Sequence, residues 1–163
     1  MPGRTVTVRP AGRADAAAIG AIVEAVYVGE GWSPESARPR LADGAWVLAQ
    51  GSALVAEVDG VIVGSVVLVT PGDPGRQIAT DSEAEFRLLA VSPAARGAGA
   101  GEALVRAVIG QARAAGFEAI VLSTQRGMEA AQRLYARLGF ERQPARDWSR
   151  PFADMLVYRL ALR

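Results

Sequence analysis

From Thr5 to Arg9 polar and β-branched residues alternate, the period of a strand with one buried face, and Pro10 ends the run. The period then changes. Ala18, Ile19, Ile22, Val23 and Val26 recur at helical spacing, which predicts a helix from an Asp15 cap to Val28. Gly29 to Pro39 carries Gly, Ser and Pro and reads as a loop or a broken second helix. Two strands follow, one around Ala45 to Ala49 or Ser52 to Val58, the other from Val61 to Val69. Asp59-Gly60 predicts a tight hairpin between the last two, because such a turn needs positive φ. Pro71 to Asp81 is a Gly- and Pro-rich loop of the kind that often carries function. Glu85 to Val91 is an apolar strand, followed by a glycine-rich turn from Arg96 to Gly101. Leu104, Val105, Val108, Ile109 and Ala112 form the buried stripe of a helix from Glu102 to Ala115, ended by Gly116. Phe117 to Ser123 is a strand, Met128 to Leu138 a second amphipathic helix stopped by Gly139, and Asp154 to Leu162 the last strand. No repeat, linker or low-complexity tract divides the chain. One mixed α/β domain over residues 1–163 is expected, built on a strand–turn–helix–strand–helix unit.

Composition narrows the chemistry. A chain of 163 residues buries roughly 70% of its unfolded surface, enough for one core without staples. It contains no Cys, His, Lys or Asn. That removes disulfides, thiol nucleophiles, Cys/His zinc sites, histidine bases and lysine Schiff bases, and no metal site is expected. Proton transfer is left to Asp, Glu, Tyr, Ser, Thr, Arg or the backbone. Eighteen arginines face 17 acids, a net charge of +1 with the arginines dispersed, so neither nucleic acid nor membrane is expected as a partner. The longest apolar stretch, Val61 to Val69, is far shorter than the ~20 residues of a membrane span. A cytoplasmic protein is the expectation, and a homodimer is left open.

Arg96-Gly97-Ala98-Gly99-Ala100-Gly101 lies between a strand and a helix. A helix start leaves N–H groups without intrahelical partners and carries partial positive charge, and glycines let a ligand approach the backbone. The run therefore reads either as a phosphate cradle that needs no lysine or as a plain connection. The dinucleotide fingerprint fails by spacing, ending on Glu102 or Leu104, and the lysine-dependent phosphate loop fails outright.

The chain instead resembles the GNAT superfamily of acyl-CoA N-acyltransferases. Arg96, Gly99 and Gly101 match that family's pyrophosphate loop, and Leu88-Leu89-Ala90-Val91-Ser92-Pro93 resembles the strand before it. Ala130-Ala131-Gln132-Arg133-Leu134-Tyr135 with Leu138-Gly139-Phe140 resembles the later helix and turn. The match is close over about residues 84–141. The resemblance implies an α/β fold: a single mixed, strongly twisted sheet flanked by helices, with splayed central strands. It also implies acetyl-CoA as co-substrate in the gap, without a metal. By carry-over Leu89, Ala90 and Val91 line the pantetheine arm, and Gly97, Ala98, Gly99, Ala100, Gly101 and Glu102 hold the pyrophosphate, with Arg96 either a phosphate contact or a solvated side chain. The Glu102 side chain is expected to point into solvent. Met128 and Ala131 complete the cofactor set; Met128 stands where the family often has an Asn, so Ser123, Thr124 or backbone would replace that contact.

The implied reaction is N-acetylation of a primary amine by direct attack, a small molecule rather than a peptide N-terminus. A non-catalytic acyl-CoA sensor is the alternative. Glu85 has the place of a general base in one branch of the family; fixing a loop through backbone N–H groups is its structural alternative, and Glu83 is the rival base. Tyr135 has the place of the acid that protonates the departing thiolate, against a role as a core aromatic with a wet hydroxyl. The acceptor site is expected from the loops Gly29 to Leu41, Pro71 to Glu83 and Arg146 to Phe152. Asp81, Glu83 and Glu85, on one strand face, would attract a cationic amine unless Arg38, Arg40 and Arg76 neutralise them.

Overall fold

The computed structural model describes residues 5–163, so the first four residues of the expected domain lie outside the described part. The strands are β1 (Val6–Pro10), β2 (Ser52–Val58), β3 (Val61–Val69), β4 (Glu83–Val91), β5 (Ala119–Gln125), β6 (Glu141–Arg142), β7 (Trp148–Arg150) and β8 (Ala153–Ala161). They form one sheet in the order β1-β2-β3-β4-β5-β8-β6, with β7 paired to β8. Only β4 and β5 run parallel; every other pair is antiparallel. The helices are α1 (Ala16–Tyr27), α2 (Arg38–Leu41), α3 (Gly44–Leu48), α4 (Ala100–Ala114) and α5 (Glu129–Arg137). Among the described residues no helix is long and apolar enough to cross a membrane.

The two sheet faces carry separate cores, as strand alternation requires. Leu104, Val105 and Val108 of α4 pack on Leu54, Val66 and Phe86, while Ile19 and Val23 of α1 pack on Val55, Val67 and Val69. The expected hairpin forms at Asp59 (φ 52°) and Gly60 (φ 75°), both in the left-handed region. Three local expectations need correction. Residues 45–48 are helical, because the Asp43 carboxylate accepts from Ala45 N and Trp46 N and starts α3. Asp15 is the N-cap residue of α1, but its carboxylate makes no cap bond and turns back to Arg9 and to the Gly12 N–H. Pro10 belongs to β1, an edge strand, where its missing N–H costs nothing.

β4 governs the site. It pairs with β5 only at Glu83↔Ala119, Ala84↔Ile120 and Glu85↔Val121. On its other side Arg87 faces Val67 while Ala90 faces Ser65, so β4 carries one residue more than β3 across that interval. Leu88, at φ 57°, absorbs the extra residue as a bulge. A bulge bends and twists its strand, and beyond Val121 β5 keeps pairing only with β8. The expected splay is therefore present, opening between the second half of β4 and the end of β5.

The closed end of that wedge is locked by charge. Glu83 is 3% exposed and accepts from Arg146, Arg159 and the Thr80 N–H. Burial alone would raise its pKa, but the Arg146, Thr80 and Arg159 hydrogen bonds and the Arg146 charge outweigh it and hold the carboxylate at about 2. Since the folded value lies below the ordinary 4.5, the stabilisation is full above about pH 5 and is lost as pH falls towards 2. Glu83→Gln should cost about 2–3 kcal/mol at pH 7 and flatten the loss of stability between about pH 5 and 2. Denaturant unfolding across that range checks it; equal stability and equal pH dependence of the two proteins would remove Glu83 from this role.

Candidate active site

The wedge is the mouth of a cleft of about 830 Å³. One wall is the open edge of β4, with Leu89, Ala90 and Val91; the other includes Ser123 and Thr124 of β5. Strand edges without a neighbour present N–H and C=O groups that an extended amide chain can pair with. The Tyr27 hydroxyl of α1 donates to the Leu89 carbonyl at 2.8 Å and so ties down the bulge. Burial pushes this phenol up to about 12, which keeps it a donor.

Following Val91, the chain enters the glycine turn. Gly97 (φ 89°) and Gly99 (φ 87°) both need left-handed backbone, and Gly99 is the N-cap of α4. The first helical amide bond runs from Ala103 N to Gly99 O, so by helix geometry the N–H groups of Ala100, Gly101 and Glu102 have no intrahelical partner. With Arg96, Gly97 and Gly99 these three residues line the cleft; Ala98 does not. The turn therefore has the donor set and positive helix end of an anion cradle. Arg96 is held by Glu30. Glu102 departs from expectation: its carboxylate binds Arg137 of α5 at 2.9 Å and Arg106 at 3.1 Å rather than pointing into solvent. Two guanidinium groups thus offset a negative charge beside the cradle.

Met128 caps α5 and lines the cleft with Ala131, and its sulfur accepts from Thr124 Oγ1 at 3.7 Å. Tyr135 also lines the cleft, with its ring buried against Phe86, Phe140 and Tyr158 at centroid distances of 5.8–6.0 Å. Each such edge contact contributes about 0.5–1.5 kcal/mol beyond area burial, enough to fix the ring. Burial raises the phenol well above its ordinary range, with Tyr27 and Tyr158 adding to the shift. Tyr135 is thus a rigid, protonated phenol at the cleft wall, packed as a core aromatic.

Glu85 is different. It is wholly buried, does not line the cleft, and its Oε1 accepts from the Gln77, Ile78 and Ala79 N–H groups at 3.0–3.2 Å. These are the contacts of the loop-fixing alternative. Its Oε2 is buried without a hydrogen-bond partner. The rival Glu83 is equally committed, held by Arg146 and Arg159, and Asp81 pairs with Arg76. The acidic face expected to draw a cationic amine is therefore consumed by structure. Of the three expected acceptor loops, 29–41 contributes Trp32 and Arg40, and 146–152 contributes Arg150 and Phe152, but none of residues 71–83 lines the cleft. Sequence reasoning missed Tyr27 and Arg87, and covered Arg150 only as part of the 146–152 loop. An arginine between Phe86 and Leu88 in an apolar strand was the available signal for Arg87.

The Acetyltransferase (GNAT) family model matches residues 20–140. Curated relatives include the probable N-acetyltransferase camello of Xenopus tropicalis, 39% identical over 90 residues, 54% of this chain and 37% of that protein. The mouse probable N-acetyltransferase family 8 member 5 is 38% identical over 96 residues, 58% of this chain and 40% of that protein. The chain thus spans only about two fifths of these relatives' length. Among solved structures, yncA of Salmonella typhimurium, a putative acetyltransferase with its cofactor acetyl-CoA, has a TM-score of 0.73 at 26% identity, covering 98% of this chain and 95% of its own. A GNAT family acetyltransferase of Brucella melitensis in complex with acetyl-CoA has a TM-score of 0.64 at 25% identity, covering 97% and 88%. With a bulged, splayed strand running into a glycine-turned helix, and a family model over most of its length, the chain belongs to the GNAT acetyltransferase family.

Proposed function

We propose that the protein is an acetyl-CoA-dependent N-acetyltransferase acting on a primary amine by direct attack, and on a small molecule rather than a peptide N-terminus. The observation that carries this reading is the open edge of β4 leading straight into the unpaired N–H groups at the start of α4. That pairing suits a ligand with an amide-bearing arm and a pyrophosphate, as in the yncA and Brucella complexes with acetyl-CoA. Leu89, Ala90 and Val91 would hold the arm, and Arg96, Gly97, Gly99, Ala100, Gly101 and Glu102 the pyrophosphate, with Met128 and Ala131 closing the side; Ala98 serves only to shape the turn. When bound, acetyl-CoA supplies the activated acetyl thioester.

Transfer forms a C–N bond and breaks a C–S bond, and it moves one proton off the amine and one onto sulfur. Tyr135 would give the second, a reading supported by its fixed ring and by the burial that keeps its hydroxyl protonated at neutral pH. Among the described residues neither Glu83 nor Glu85 lines the cleft, and the Glu83 carboxylate and Glu85 Oε1 are taken up by structure. The amine's proton therefore leaves to water, and Glu85 acts by fixing the loop that backs the site.

Two experiments test this. Titration calorimetry should show acetyl-CoA binding, and Gly99→Asp should weaken it at least tenfold, because left-handed backbone and a negative charge both oppose the cradle. No binding by the native protein would end the reading; binding without CoA release from any amine would favour a sensor. In the second, Tyr135→Phe should keep its melting temperature and lose about 10²-fold or more in kcat, whereas Glu85→Gln should lower the melting temperature and spare kcat. Turnover of the Phe variant within twofold of native would return Tyr135 to the core, and a kcat loss in Glu85→Gln at unchanged stability would restore it as the base.

A further inference from the structure

We propose that the far end of the cleft is a carboxylate-binding site, so that the acceptor is an amine of the α-amino-acid class with an apolar side chain. This rests on the acetyltransferase reading and specifies its substrate. Arg40 of α2, Arg87 of β4 and Arg150 of β7 all line the cleft, and among the described residues none of them has an ion-pair partner. Arg96 and Arg137, the other cleft arginines, are each bound by a carboxylate. The three are held by neutral groups instead. Arg40 lies over the Trp46 ring at 5.2 Å, Arg150 lies over Trp148 at 4.9 Å and Phe152 at 6.0 Å, and Arg87 donates to the Gly75 carbonyl at 3.2 Å. A guanidinium stacked by its face keeps its edge N–H groups free, and that edge matches a carboxylate in bidentate geometry.

The cluster is costly as it stands. Burial, then the charges of Arg150 and Arg40, depress the Arg87 guanidinium against the pull of buried Glu85; burial and Arg40 depress Arg150. An entering anion would relieve this repulsion. The cofactor's phosphates are not that anion. Arg87 lies four residues before Val91, at most about 13 Å along the bulged strand at about 3.3 Å per residue, and the glycine turn begins only at Arg96, five residues further on. Val26, Leu41, Trp46 and Phe152 line the cleft beside the arginines and offer an apolar seat for a side chain. A polyamine or aminoglycoside would meet three cations here and no free acid.

The test is CoA release from acetyl-CoA by the full chain with two matched series: L-phenylalanine, L-phenylalaninamide and 2-phenylethylamine, and L-leucine, L-leucinamide and isoamylamine. The carboxylates should exceed their partners in kcat/KM by about 30-fold or more, the worth of a charge-assisted pair. The amides are the strict comparison, because their amines are more fully deprotonated at neutral pH and chemistry alone would favour them. Arg150→Gln should raise KM for the acids about tenfold or more and shrink their advantage over the amides, with acetyl-CoA affinity within twofold of native. Melting curves with each of the six compounds, with and without acetyl-CoA, give a readout independent of turnover: stabilisation by the acids alone supports the site. Amides or plain amines used as well as the acids, or no stabilisation and no turnover by either acid, would overturn it. Failure of the underlying reading would appear separately, as absence of acetyl-CoA binding.

Discussion

One inserted residue in β4 underlies the whole site. Without the bulge at Leu88, β4 would stay flat against β3 and its other edge could continue in register with β5 beyond Val121. The extra residue bends the strand, and the pairing with β5 stops after three residues. An unpaired edge is ordinarily a hazard, so its persistence needs support. Tyr27 ties the bulge from one face through the Leu89 carbonyl, and Phe86, Tyr135, Phe140 and Tyr158 pack as a rigid plug beneath it on the other. The same plug orients the only hydroxyl proposed to donate a proton.

Charge is divided along the length of β4. At its start, acids are consumed in structure: Glu83 between two arginines, Glu85 around three loop amides. At its end, N–H groups of the glycine turn and α4 wait for an anion, with Glu102 neutralised by Arg106 and Arg137. Between these lies the end of the cleft where Arg40, Arg87 and Arg150 stand without an ion-pair partner among the described residues. A protein with a net charge of only +1 therefore holds a locally cationic pocket, which the overall balance conceals.

Local chemistry was legible in the sequence and long-range partnership was not. The periodicity of Leu104, Val105 and Val108 placed α4, and the glycine spacing placed its start to within two residues, because both depend on neighbours along the chain. β6 and β7, two and three residues long, are too short to show any period. The run Ala45-Trp46-Val47-Leu48 fits strand or helix equally, and only the Asp43 cap decides it. Glu85 illustrates the deeper difficulty. The partners of its Oε1 are backbone N–H groups of a loop, which no side-chain pattern encodes. Likewise Arg40, Arg87 and Arg150 come from three separate elements and meet only through the fold.

The central claim is that the open edge of β4 and the start of α4 form one continuous ligand track. Backbone amide hydrogen exchange, resolved by residue with and without acetyl-CoA, addresses it directly. The account predicts slowed exchange in two segments together, residues 88–91 along β4 and residues 97–102 at the glycine turn, with the Gln77, Ile78 and Ala79 amides that bind Glu85 unchanged. Binding of acetyl-CoA that leaves both segments unprotected, or that protects a different surface, would contradict it.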